Sequence, residues 1–309
     1  MSLASQPDRP QIICILNSSA GLGSTEPPGE RLAALFAERG ASAIVWVAKG
    51  GADLADLARR AVALKPTIIA AGGGDGTINC VAAAILDSDI ALGVLPMGTL
   101  NHFAKDLQIP LELAAAVETI VLGEAARVDV GEVNGAMFLN NSSLGLYPRL
   151  VRERERLQGG GLSKTTAFIR AIGSVLLRYG HIDVRLEANG EGSRRRQTPF
   201  VFIGNNQYRG EGWNIGTRER LDAGRLWIYM APYKGPLALL LLALRSLLGH
   251  REGASVGAFE TAECWIETRR RRVDVARDGE VTRMLSPLRY RIRPGALRVM
   301  KPAAEAADV

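Results

Sequence analysis

The stretch AAGGGDGTIN runs from Ala70 to Asn79 and sets four glycines around a single carboxylate, Asp75. An apolar run over 67–71 precedes it and a helix is expected over 77–86. A strand that breaks into glycines and re-forms as a helix is one half of a βαβ unit. Glycines there let the backbone approach an anionic ligand closely, yet the aspartate would repel one.

Working outward, the same alternation recurs. Residues 11–16, QIICIL, read as a strand ending in the turn-rich NSSAGLGS, with a helix over 30–39. A strand over 43–47 and a helix over 52–64 follow, and Pro66 introduces the strand at 67–71. A fourth strand, 90–95, leads through PMGTLNHFAKDL to a helix over 111–122. Strands spaced by helices of this length predict a parallel sheet. After Arg127 the grammar changes to short strands, at 128–133, 136–140, 182–188, 198–204, 225–231, 262–268, 273–276 and 288–292. These predict an antiparallel β domain with helices inserted over 165–179 and 237–248. The expected division is an α/β domain over 1–128, to which about 290–309 returns, and a β domain over 129–289.

The 309 residues suffice for two domains, and 47% hydrophobic with 23% charged residues is an ordinary globular composition. The start MSLASQPDRPQ lacks a charged-then-apolar signal pattern, so a cytoplasmic protein is expected. Cys14, Cys80 and Cys264 have no paired spacing and fit neither a disulfide framework nor a zinc site. The longest apolar run, 237–244, is too short to span a bilayer. A net charge of +6, with arginine runs at 194–196 and 269–272, favours an acidic partner surface. An anionic membrane touched peripherally is one such surface, and solvated loops are the plainer reading. No nucleic-acid partner is expected, and a homodimer is among the states the sequence allows.

Ligands of open α/β sheets bind at the carboxyl ends of the strands. Three polar turns fall there: Asn17, Ser18, Ser19 and Gly21 after strand one, Gly73, Gly74, Gly76, Thr77 and Asn79 after strand three, and Thr99 and Asn101 after strand four. No GK[ST] follows the glycines, so this is not a Walker loop. Without a lysine, phosphate charge must be met by amides, a helix N-terminus and a metal. Asp75 then belongs beside an ATP-bound Mg²⁺. A tight turn with Asp75 capping its own helix is the structural alternative.

GGGDGTIN, PMGTLNHFAKDLQIP and the later DGE together resemble the diacylglycerol kinase catalytic family, which includes bacterial lipid kinases, sphingosine kinases and ceramide kinases. The resemblance covers residues 11 to about 299. It implies an α/β nucleotide-binding domain joined to a β-sandwich, with ATP and Mg²⁺ in the cleft between them and transfer of the γ-phosphoryl to a lipid hydroxyl. Residues 74–79 with Thr99 would line the ATP site, and 17–21 would form its first loop. The segment FLNNSSLGLY, 138–147, reads as a strand followed by a small-residue turn. By the resemblance it lies at the acceptor site, where Asn140, Asn141 and His102 would meet substrate.

In VARDGEV, Asp278 and Glu280 flank Gly279. From pattern alone this is a proton-accepting carboxylate pair or, more simply, a hairpin turn, since Asp-Gly is the commonest hairpin signal. In the family DGE supplies the general base, which makes Glu280 the proton acceptor with Asp278 beside it. The chain departs from the family at His102, where an aspartate is usual, at Cys80 and Trp46, and at Ala223. There the aspartate of a structural metal site is missing, with Asp222 one residue early, so that metal is expected to be absent or rebuilt. The leading expectation is an ATP- and Mg²⁺-dependent lipid kinase. An NAD kinase shares GGDG but not PMGTLNHFAKDL, and a nucleotide- or lipid-binding protein without catalysis is the reading that His102 and Ala223 motivate.

Overall fold

The computed structural model describes residues 11–18, 28–159, 181–188, 191–208, 217–230 and 257–303. Ser19, Gly21 and the helices expected over 165–179 and 237–248 lie outside the described residues. The chain forms two compact units, Met1–Val128 with Gly295–Val309, and Asp129–Pro294.

The first unit runs β1 (Ile12–Asn17), α1 (Pro28–Glu38), β2 (Ala43–Ala48), α2 (Gly51–Ala63), β3 (Ile68–Gly73), α3 (Asp75–Ile85), β4 (Ala91–Pro96), α4 (His102–Asp106) and α5 (Leu113–Leu122). Its strands are parallel in the order β2-β1-β3-β4. β3 and β4 are buried along their whole length, which is why they read as continuous apolar runs. Helix α2 faces inward through Leu54, Leu57, Ala58 and Ala61, the i, i+3, i+4, i+7 stripe of an amphipathic helix. It packs on α3, and α1 packs on α5. Glu112 starts α5 by accepting the Ala114 and Ala115 amides at 3.0 and 2.8 Å.

The second unit is built on β5 (Glu124–Val133), β6 (Ala136–Phe138), β7 (Asn141–Gly145), α6 (Leu146–Gly159), β8 (Ile182–Ala188), β9 (Glu191–Thr198), β10 (Phe200–Asn205), β11 (Leu226–Met230), β12 (Gly257–Thr261), β13 (Glu263–Thr268), β14 (Arg272–Arg277), β15 (Glu280–Leu285) and β16 (Leu288–Lys301). One sheet has the order β12-β11-β10-β7-β14-β15. The other runs β16-β13-β8-β9, with β5 against β16 and β6. Leu144, Val201, Ile203, Ile228 and Val275 of the first meet Val184, Leu186, Cys264, Ile266 and Tyr290 of the second in one buried cluster. Each such side chain contributes about 1.5–3 kcal/mol on burial. β8 shows the alternation that a half-buried strand requires, with Val184 and Leu186 inside and Asp183, Arg185 and Glu187 outside. The α/β domain and the β-sandwich expected from the sequence are both present. Strand β16 ends beside β4, pairing Val299 with Leu92 in parallel.

Six elements absent from the sequence reading are present: α4, β7, α6, β9, β12 and β15. Residues 141–145, expected as a turn, are β7, with β10 and β14 as its neighbours. The serines are small because the strand is enclosed: Ser142 Oγ reaches the Ala276 carbonyl and the buried Tyr290 hydroxyl. Helix α6 and strands β9 and β15 were hidden by their charge.

Candidate active site residues

In the first unit the ends of β1, β3 and β4 come together. Asn17 Nδ2 donates to Thr77 Oγ1 at 3.2 Å, and the Met97 amide donates to the Gly73 carbonyl at 3.1 Å. Gly74 and Gly98 touch so closely that a Cβ on Gly98 would lie 2.4 Å from the Gly74 Cα. A Cβ on Gly73 would meet the Thr77 side chain at 2.4 Å. Gly98 is therefore demanded by close approach between loops and Gly73 by the Thr77 side chain, before any ligand is considered.

Asp75 is the first residue of α3 and does not cap it; the N-cap position is Gly74, which has no side chain to offer. Instead Asp75 Oδ1 accepts the Phe103 amide at 3.3 Å. It thus caps the next helix, α4, and ties the third strand's loop to the fourth's. Asn101 adopts the left-handed conformation and spends its amide within the loop. Its Oδ1 accepts the Gly98 amide at 2.9 Å, and its Nδ2 donates to the Gly98 carbonyl at 2.8 Å. Thr99, Gly76 and His102 are exposed on this edge, while Thr77 is buried. Trp46 carries the Arg60 guanidinium 5.4 Å above its ring.

The edge suits a phosphate-bearing ligand. Helix α3 begins without a side-chain cap, which leaves first-turn amides for an anion. Asn79 Oδ1, one helical turn from Asp75, is buried without a hydrogen-bond partner. No cluster of three or more His, Cys, Asp or Glu side chains is gathered for a metal among the described residues. A divalent ion here would be held by Asp75 jointly with phosphate oxygens and water, as Mg²⁺ commonly is.

In the second unit, Asp278 and Gly279 form the two-residue turn between β14 and β15, with φ of +45° and +88°. Positive φ at both positions is what a type I′ hairpin requires. The backbone therefore shows the hairpin reading, and within it the Asp278 carboxylate turns inward. It accepts the amides of Leu139 at 2.7 Å, Asn140 at 2.8 Å and Asn141 at 3.1 Å. Its own amide returns to the Asn141 carbonyl. Burial pushes the carboxyl above the usual aspartate range, outweighing the downward pull of these amides and of the Arg218 charge. Glu280, across the turn, is exposed.

The Diacylglycerol kinase catalytic domain model matches residues 11–133, and the model of the YegS C-terminal NAD kinase beta sandwich-like domain matches 153–301. A protein of Pseudomonas aeruginosa named "Probable lipid kinase YegS-like" is 30% identical over 308 residues, with 96% of each chain covered. The chain belongs to the YegS-like diacylglycerol kinase family. A protein of the same name from Klebsiella pneumoniae is 30% identical over 301 residues, covering 95% of this chain and 96% of its own. In fold, the crystal structure of a diacylglycerol kinase from Bacillus anthracis superposes with a TM-score of 0.66 over 97% of this chain and 99% of that one, at 21% identity.

The 139–141 corner also rests on buried polar residues that the sequence reading missed. Arg218 is buried and donates to the Leu139 carbonyl at 2.7 Å, the Asn205 carbonyl at 3.0 Å and Asn140 Oδ1 at 2.9 Å. Asn205 Nδ2 bridges the carbonyls of Asp129 and Leu139, both at 2.8 Å. Asp129 in turn accepts the Gly224 amide at 2.6 Å, which fixes the loop where Ala223 replaces the family's aspartate. Asp222 is exposed and pairs with Arg220 at 3.0 Å. Asn140 is thus held by Arg218, whereas Asn141 is half-buried at the head of β7. Among the described residues no helix is long and apolar enough to cross a membrane.

Proposed function

We propose that the protein is a lipid kinase that transfers the γ-phosphoryl group of ATP to the hydroxyl of a diacylglycerol-type or sphingoid-type lipid. The observation that carries this reading is the convergence of three strand ends in a family whose catalytic model spans them. The contacts among Asn17, Thr77, Gly73, Gly74, Gly98 and Asp75 build one prearranged phosphate edge. Gly73, Gly74, Gly76, Thr77 and Asn79, with Thr99, line the nucleotide in this account, and Ser19 and Gly21 would complete its first loop. Asn101 serves the nucleotide indirectly by holding the loop that carries Thr99.

Mg²⁺ carried on the nucleotide would neutralise the charge of the transferring phosphoryl group, with Asp75 as the protein carboxylate that holds it. Asp75 Oδ1 already accepts the Phe103 amide, and the carboxylate keeps further lone pairs with which it would hold that ion. Glu280 accepts the proton of the lipid hydroxyl as its oxygen bonds to the γ-phosphorus and the bond to the β-phosphate oxygen breaks, releasing ADP. Being exposed, Glu280 is accessible to such a substrate. Asp278, its carboxylate committed to three amides, is a positioning residue: it holds the 139–141 corner that carries Asn140 and Asn141 to the acceptor. His102, exposed at the start of α4, can donate to a phosphate oxygen.

Purified protein incubated with radiolabelled ATP, Mg²⁺ and a total lipid extract should yield a labelled lipid whose mass identifies the acceptor. The Glu280→Ala variant should not. Label appearing on NAD instead would establish an NAD kinase, and label on neither would leave a nucleotide- or lipid-binding protein.

A further inference from the structure

The arginine runs at 194–196 and 269–272 are about seventy residues apart in the chain, yet the second unit gathers them. β8 pairs with β9 on one side and β13 on the other, so Arg195, Arg185 and Glu267 form one cross-strand row. The turn from β13 to β14 carries the second run beside that row. Two adjoining grooves of about 630 and 510 Å³ result, sharing Asp183, Thr268 and Arg269 in their walls.

The acids in those walls are already engaged. Asp274 takes Arg152 at 2.8 Å and Arg283 at 3.2 Å, Asp183 accepts Gln197 Nε2 at 3.0 Å, and Glu267 faces Arg185 at 3.9 Å. Arg195, Arg196, Arg269, Arg270 and Arg272 are exposed and form no ion pair among the described residues. Arg185 and Arg195 stand directly opposite one another, an arrangement of like charge that opposes sheet stability. Protection of an edge strand explains arginines on β9, which ends its sheet. It does not explain the run on the β13–β14 turn, which lies on the other side of β8. One further observation selects the partner: Leu285, 54% exposed, is the cross-strand neighbour of Arg272. Guanidinium groups beside a protruding leucine suit a bilayer interface, where the charge meets headgroup phosphate and the apolar side chain enters the acyl boundary.

We propose that these grooves form a docking face for anionic phospholipid headgroups, distinct from the residues that take the acceptor lipid. The choice of a bilayer over other polyanions rests on the lipid-kinase reading, but the binding test does not need turnover. The full chain is sedimented with phosphatidylcholine vesicles, with and without phosphatidylglycerol, at increasing salt. Wild-type protein should bind only the anionic vesicles, and less at high salt. The Arg269→Gln, Arg270→Gln, Arg272→Gln triple variant should lose affinity on the order of a hundredfold, and Leu285→Ser should lose less. Both should melt no lower than wild type and phosphorylate a short-chain soluble acceptor at the wild-type rate. Equal vesicle binding by wild type and the triple variant overturns the proposal, as does tighter binding to duplex DNA than to anionic vesicles. Vesicle binding without phosphorylation of any lipid would overturn the kinase reading and leave the docking face standing. Phosphorylation of the soluble acceptor without vesicle binding would do the reverse.

Discussion

Replacing Asp278 tests whether the β14–β15 turn organises the acceptor corner. In Asp278→Ala three amides lose their acceptor. Leu139 and Asn140 are buried and Asn141 is half-buried, so two of the three cannot turn to bulk water. An unsatisfied buried amide costs about 1–3 kcal/mol. Against this, removing a carboxylate that burial already disfavours returns part of the loss. A net destabilisation of about 3 kcal/mol is expected. Asp278→Asn keeps one oxygen where Oδ1 serves Asn140 and Asn141 and gives up the Leu139 bond, for a cost of about 1 kcal/mol.

Guanidinium unfolding would show the midpoint falling in the order wild type, Asn, Ala, with unchanged slope. The raised pKa adds a signature with a definite sign. Above the ordinary aspartate value of 3.8 the unfolded chain has released a proton that the native state still holds. Stability owed to this carboxyl is complete below that value and is lost as pH rises through the raised native pKa. The gap between wild type and Asp278→Asn should therefore narrow with rising pH across that window. An alanine variant as stable as wild type, or an asparagine variant as damaged as alanine, would refute the positioning role.

Asp75→Asn retains an oxygen for the Phe103 amide and should unfold within about 0.5 kcal/mol of wild type, while ATP-dependent phosphoryl transfer collapses. A parallel loss of stability, read by the same unfolding curves, would return Asp75 to a purely structural role. Gly98→Ala forces a methyl against the Gly74 backbone and should cost about 1–3 kcal/mol, visible as a lower melting temperature and weaker ATP binding by calorimetry. Glu280→Gln, at an exposed position, should leave the melting temperature in place and slow steady-state phosphorylation by about 10²–10⁴-fold. A rate close to wild type would remove Glu280 from proton transfer.

How far the sequence discloses this molecule depends on how far apart the interacting groups lie. The parallel half was legible because β1, β3 and β4 are apolar runs closed by asparagine, glycine and proline respectively, and their partners follow in order along the chain. Strand β7 was not, because NSSLG lacks both alternation and β-branched residues; its Ser142 answers to Tyr290, 148 residues away. Charge concealed β9, whose arginines mark a sheet edge and not a loop. The DG turn was recognisable, but the amides it serves lie 137 to 139 residues away, and no local pattern records that. Arg218 stands in TRERLD two residues from the exposed Arg220, and nothing in composition separates a buried arginine from a solvated one.

The carboxylate among the glycines gains a second meaning from the structure. A loop held open only by its ligand would need that ligand to shape it, and binding energy would go into ordering the chain. Here the Met97 amide on Gly73, the Gly74–Gly98 contact and the Phe103 amide on Asp75 already lock two strand-end loops together. The Phe103 amide at the start of α4 already meets part of the negative charge that would oppose a phosphate. The Phe103 contact places this carboxylate rigidly, and Asp75→Asn, which keeps an oxygen for that contact, separates the structural role from the proposed one. The four glycines and their aspartate are then parts of one prearranged surface.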